Sequence, residues 1–250
     1  MQNSNTLWLT KQELKQSWPS FIPSLLFVIL LGLGCAIVFV VEPNVKEIDI
    51  SSNEKEFEIL LNNVFVDFLF LYGLPLLSIY TREHWLFTAP NKDPFSKRLL
   101  FLRSHPFSTQ EIVQSRLLLM LVTLSTSLAI FFIILQIVPG DFSKHLNLLQ
   151  YLWFSLIWTG YVFLFGGFSL FMELATNGKV YFWVSCLVAI PLAALVLIVF
   201  PAGGIVLWTT TLAKTNGPIM AILSLIFGLI SLFGWTHLTE KRIGKRDLLL

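Results

Sequence analysis

One acid, Asp67, stands in the core of a long apolar run that also carries Asn62, Asn63 and Tyr72. A charge at membrane depth costs about 2.5 kcal/mol or more. Asp67 therefore marks a functional site or a buried interhelical pair; if its run begins later, it lies at the outer interface and means less. With Asn62 and Asn63 it makes a candidate outer mouth for a translocation path. A second polar island is FLRSHPFSTQEIVQSRLLL, 101–119, where Arg103, His105, Glu111 and Arg116 surround Pro106. Catalytic constellations are missing from the rest of the chain. His84, His105, His145 and His237 are scattered, with no HExxH or other ligand spacing, so no metal site is expected. No Gly-x-Ser elbow with a histidine, aspartate pair or diglutamate motif suits an intramembrane protease. The phosphate-loop pattern GxxxxGK[ST] does not occur; NGKV, 177–180, lacks the first glycine and the hydroxyl residue. The chain is not expected to be an enzyme, and no cofactor is expected in it. Cys35 and Cys186 both fall in apolar runs, which argues against a disulfide framework.

The elements that must position these residues follow from composition. Of 250 residues 55% are hydrophobic and 13% charged, about half the charge of a soluble domain. A helix crossing a ~30 Å hydrocarbon layer needs about 20 apolar residues. Six such runs occur, at about 21–41, 59–80, 117–138, 151–172, 181–200 and 218–236. Backbone groups in lipid must pair within their own segment, so these runs should be helices. The expectation is an all-α polytopic membrane protein, one transmembrane domain over 1–250. The first run is too long, and lacks the cleavage pattern, for a signal peptide. Gly160, Gly166 and Gly167 give the fourth span small positions for close helix contact. Pro75 and Pro191 should bend the second and fifth.

Basic residues set the orientation. With the N-terminus inside, 13 of the 17 Lys and Arg residues fall in inner segments, and the outer loops hold Lys46, Lys55, Lys144 and Lys214. Both termini are then cytoplasmic, and the acidic loop 42–58 is outside. The net charge of +2 reflects membrane orientation and anionic headgroups; no nucleic-acid partner is expected.

Three segments are more than plain spans. In TLWLTKQELKQSW, Thr10 followed by Glu13 fits a capping box, and Leu7, Leu14 and Trp18 share a stripe. Residues 6–18 read as an interfacial helix ended by Pro19, or as an irregular anchoring tail. In the inner loop 81–116, Asp93 is an N-cap and Pro94 a first helical residue. Phe95, Leu99 and Leu102 recur at helical spacing, with Lys97 and Arg98 pointing elsewhere. A helix over 94–104 would end at His105-Pro106, and Ser108 with Glu111 is a second capping box opening the next helix. This hairpin reads as a docking elbow, or as a partnerless hairpin on the membrane surface. Finally, 201–218 joins the last two spans between turn formers Pro201-Ala-Gly-Gly and Asn216-Gly-Pro. It reads as a re-entrant dip or as a tryptophan-anchored surface loop.

The segment LRSHPFSTQEIVQSRLL, 102–118, resembles the LRSLPISRKEIVLSKLL type of segment in ABC type-2 transporter permeases. The likeness carries the proline turn, the Ser108 cap, Glu111-Ile112-Val113 and Arg116. It departs at His105, where leucine is commoner, and at Phe107, which replaces a smaller aliphatic; both could alter a partner's grip. The layout of six spans, interfacial helix and short last connector is also similar. The resemblance implies that residues 94–104, with their turn, are the coupling helix between spans two and three. Phe95, Leu99, Leu102, Arg103, His105, Pro106, Phe107, Ser108 and Glu111 would then be the coupling residues. It implies two copies of a separate ATPase subunit, which would bind the ATP and magnesium. It also implies a second permease chain, identical or paralogous, in a bacterial cell membrane. The expected function is the permease subunit of an exporter of peptide, lipid-like or drug-like cargo. The alternative is a non-transporting immunity or sensor protein that binds an external peptide through 42–58.

Overall fold

A computed structural model describes residues 2–45, 63–77, 93–138, 146–199 and 204–245, and every element among them is helical. These are α1 (Gln2–Val45), α2 (Asn63–Leu76), α3 (Pro94–Arg103), α4 (Thr109–Ile137), α5 (Leu148–Ala175), α6 (Gly178–Val199) and α7 (Ile205–Gly244). Three of them, α4, α5 and α7, are long and apolar enough to cross a membrane. A fourth is reached if the two legs of α1, Asn5–Pro19 and Phe21–Ile37, bent by 67° at the expected proline, form one span. Six full-length spans are not established among the described residues, where the apolar stretches described in α2 and α6 are Asn63–Leu76 and Gly178–Val188. The remainder of run 59–80, and the side chain of Pro191, lie outside the described residues.

The core is aromatic where α2, α4 and α5 meet. Phe70 of α2 sits edge-on to Phe131 of α4 and to Phe154 and Trp158 of α5, at 5.5, 5.9 and 4.9 Å. Such edge-to-face contacts add about 0.5–1.5 kcal/mol each beyond burial. Phe70 lies in a wide π-turn, Leu69–Gly73. Pro75 has no N–H to give to the carbonyl of Leu71; the hydroxyl of Tyr161 donates to that carbonyl at 2.7 Å instead.

The closest helix pair is α5 with α7, and the glycines expected to serve packing do so. A Cβ on Gly160 would lie 2.4 Å from the Ser224 carbonyl, and one on Gly228 would lie 2.4 Å from the Gly160 oxygen. Ser224 Oγ donates to the Ile157 carbonyl at 2.6 Å. Gly167 meets Leu232, while Gly166 faces Met120 of α4.

The connector 201–218 is not a loop over its described part. Residues 205–215 are helical and join the rest of α7 through a break at Asn216 (φ −132°, ψ 32°), just ahead of Pro218. The order of contacts along α5 reverses there. Thr209 meets Trp158 and Gly217 meets Trp153, but Ser224 then meets Gly160 and Leu232 meets Gly167. The first leg climbs toward the start of α5 and the second runs back down it. The connector is thus a helical leg folded back along α5.

Candidate functional site

Local sequence signals built α3 as expected. Asp93 takes a left-handed conformation (φ 36°), and its carboxylate accepts from the N–H of Ser96 at 3.4 Å and from the Ser96 hydroxyl at 2.6 Å. Ser108 and Glu111 close a reciprocal capping box at the start of α4. The Ser108 hydroxyl accepts from Glu111 N–H at 3.2 Å, and the Glu111 carboxylate accepts from Ser108 N–H at 2.8 Å. Asn5 of α1 donates to the other Glu111 oxygen at 3.0 Å. Glu111 precedes the apolar run 117–138. The backbone N–H of Ser108, then the Asn5 amide and the Ser108 hydroxyl, hold its carboxyl below the usual range.

Short as it is, α3 is fastened to every helix around it. Asp93 Oδ1 accepts from Gly178 N–H at 2.9 Å, tying α3 to α6, and Phe95 lies edge-on to Tyr181 at 5.1 Å. Leu99 and Leu102 share a buried cluster with Leu9 of α1, Ile112 and Val113 of α4, Leu170 and Leu174 of α5 and Ile243 of α7. Arg98 pairs with Glu13 of α1 at 3.0 Å. Arg103 donates to the Ile243 carbonyl in the last turn of α7.

Beneath α3 lies a buried charge network. Arg116 is wholly buried; one guanidinium nitrogen donates to Glu13 at 3.5 Å and another to Glu173 of α5. Glu13 and Glu173 are each only 5% exposed. With Arg98, the set among the described residues holds two carboxylates and two guanidiniums. Buried charges persist only when paired in this way. The structure thus corrects the reading of Thr10 and Glu13 as a cap. The helix already begins at Gln2, Thr10 returns its hydroxyl to the Thr6 carbonyl at 2.8 Å, and Glu13 is drawn to the two arginines. Leu7, Trp8 and Trp18 point outward, and the inward stripe is Thr6, Leu9 and Glu13.

The expected coupling residues therefore divide. Phe95, Leu99 and Leu102 face the bundle, and Glu111 is occupied by the capping box and Asn5, so these four hold α3 in place. The outward surface is a knuckle of Leu100, Phe101, Ser104, His105 and Pro106, with Phe101 63% exposed. Its rings form a strip: Phe101 to His105 at 4.7 Å, His105 to Phe107 at 6.2 Å, and Phe107 to Trp8 of α1 at 6.2 Å. His105 Nδ1 lies 3.0 Å from the Phe101 carbonyl, an acceptor, which assigns the proton to Nδ1. Beside the knuckle a groove of about 1020 Å³ runs between α1 and α3.

At the opposite end, Asp67 is 1% exposed and its partner is a helix terminus. Its oxygens accept from Ile205 N–H at 2.7 Å and Val206 N–H at 2.9 Å, so α2 supplies the cap that the start of α7 lacks. The positive end of the helix dipole favours the carboxylate there. Gly204 takes φ 73°, and a Cβ on it would lie 3.1 Å from both Asp67 oxygens. Of the expected mouth residues, Asn63 is half-buried on α2, while Asn62 and most of the loop 42–58 lie outside the described residues. No group of three or more metal-ligating side chains occurs among the described residues.

Sequence reasoning passed over Glu13 and Arg98 as site residues, left Glu173 between a pair with Lys179 and a contact with a partner, and treated Arg116 only as part of a motif. The one signal present was an arginine and a glutamate at the edges of apolar runs. Comparison with family models, curated proteins and solved structures finds no match to this chain.

Proposed function

We propose that this chain is the permease half of an ATP-driven exporter, lying in the membrane with its α3 end in the cytoplasm. The carrying observation is mechanical: α3 is pinned to α1, α4, α5, α6 and α7 while it displays an aromatic, exposed knuckle. A push on the knuckle reaches all five helices. Exposed aromatic clusters of this kind mark interaction surfaces. Orientation rests on charge. Lys11, Lys15, Lys97, Arg98, Arg103, Lys179, Lys241 and Arg242 all belong to elements that meet around α3, and the positive-inside rule assigns that end to the cytoplasm. The energy source is a separate ATPase subunit, since the sequence carries no phosphate loop. The predominantly apolar composition favours lipid-like, peptide or drug-like cargo.

Phe101→Asp tests the docking surface, because Phe101 is exposed and its loss costs the fold little. The full-length chain, purified from its native membrane, should bring an ATP-hydrolysing subunit with it. Phe101→Asp should express and melt like the parent yet lose that subunit by tenfold or more. Equal recovery of the ATPase with both proteins would overturn the assignment.

A further inference from the structure

The groove between α1 and α3 has two chemically different ends. Trp8 stacks on Phe107 at 6.2 Å and Glu13 pairs with Arg98 at 3.0 Å, so the first leg of α1 runs antiparallel to α3. That register puts Lys15, two residues past Glu13, beside Lys97, one residue before Arg98. The rings of the knuckle line the Trp8 end, and the two lysines line the other. Both lysines are exposed, and neither has a carboxylate partner among the described residues. Glu13 and Arg98 also line the groove, but they bind each other, and Glu13 is held by Arg116 as well. What remains is a pair of like charges, which repel until an anion sits between them.

The lysine end also leads into the apolar part of α1. The helix bends by 67° just beyond it, and the second leg is Phe21–Ile37. Trp8, Gln12, Lys15, Ile22, Leu26 and Leu30 follow one another at steps of three, four or seven residues, the repeats that keep to one helix face. Ile22, Leu26 and Leu30 are exposed, so the groove wall of α1 continues past the bend as an apolar track.

We infer that this end of the groove holds an anionic phospholipid: Lys15 and Lys97 donate to its phosphate, and one acyl chain follows Ile22, Leu26 and Leu30. A zwitterionic lipid brings the same phosphate together with a cation of its own, which the two lysines oppose. An acidic protein segment would satisfy the lysines but leave the track bare, and the aromatic surface suited to a protein is at the other end. The inference requires the chain to lie in lipid and does not involve an ATPase, so it and the proposed transport role can fail separately.

The test uses the full chain in nanodiscs and two probes with a diazirine in the acyl chain, one phosphatidylglycerol and one phosphatidylcholine. Adducts are mapped by peptide mass spectrometry. Labelling of 18–33 should favour phosphatidylglycerol roughly twentyfold, about fivefold for each lysine. Lys15→Gln combined with Lys97→Gln, both at exposed positions, should erase that preference while phosphatidylcholine still labels the track. Lys241→Gln combined with Lys245→Gln, exposed lysines of the α7 end outside the groove, should leave it unchanged. A preference that survives the first pair, or falls equally with the second, would overturn the inference, since general surface charge would then be its source. Displacement of the label by glycerol phosphate would also overturn it, in favour of a soluble phosphate. So would a first pair that leaves lipid labelling intact but releases a co-purifying protein, because the lysines would then seat that protein.

Discussion

Arg116 shows how much one side chain can organise. It stands between two carboxylates from helices far apart in the chain, and all three groups are buried. Removing the arginine leaves Glu13 with Arg98 alone and takes a buried guanidinium away from Glu173. Arg116→Met should therefore lower unfolding stability by about 3–5 kcal/mol, read as a fall in the melting midpoint in detergent. Glu111 offers a prediction in pH. Its carboxyl titrates lower folded than unfolded, so its contribution is fully present above the unfolded value of about 4.3 and fades as pH falls through the folded value. The stability gap between the parent and Glu111→Gln should stay constant above about pH 5 and close in more acidic buffer. A gap that widened on acidification would contradict the assignment.

Among the elements, the pairing of α5 with α7 is the least tolerant of added volume. Gly160→Ala places a methyl 2.4 Å from the Ser224 carbonyl, where only backbone movement can relieve it. A cost of about 1–3 kcal/mol is expected. Gly234→Ala, on the same α7 with nothing within 4 Å of the new carbon, should be neutral or stabilising by up to about 1 kcal/mol. Thermal melts of the two variants side by side check both signs. What the sequence disclosed at this scale was whatever is encoded within a few residues. Asp93 with Ser96, and Ser108 with Glu111, were legible because caps are local, and so was the bend at Pro19. Thr10 and Glu13 carry the same local signature, but the helix had already begun at Gln2, so the rule had no free N–H groups to serve. The long pairings left no mark. Glu13 and Arg116 are 103 residues apart and Arg116 and Glu173 are 57 apart. Gly160 announced a close contact, while its partner Gly228 could not be named from spacing.

For the whole molecule, rigidity of the α3 end is the property that a transmission role requires. Asp93→Gly is the variant that isolates it. Glycine accepts φ 36°, but the substitution removes the carboxylate that ties α3 to Gly178. The knuckle itself is untouched. The expected outcome is an ATPase subunit still recovered at the parental level, with transport per ATP hydrolysed reduced several-fold in proteoliposomes. Unchanged transport per ATP would show that the tie to α6 carries no motion. The all-helical class and the membrane composition were readable from apolar runs and charge. Of the six spans expected, three helices, or four with the bent α1, have the length and hydropathy of a span among the described residues. The break at Asn216 folds one apolar stretch into two legs, and the end of one leg is completed by a residue from α2.

That last join sets an order of events during synthesis. Asp67 is made 138 residues before the first of the two amides that receive it. Until α7 arrives, the apolar α2 carries a bare acid. A chain stopped short of Gly204 keeps it bare for good. Such a fragment would stand out to the cell's proteolytic surveillance as unfinished, and the protein would pass that inspection only when its last helix has been seated.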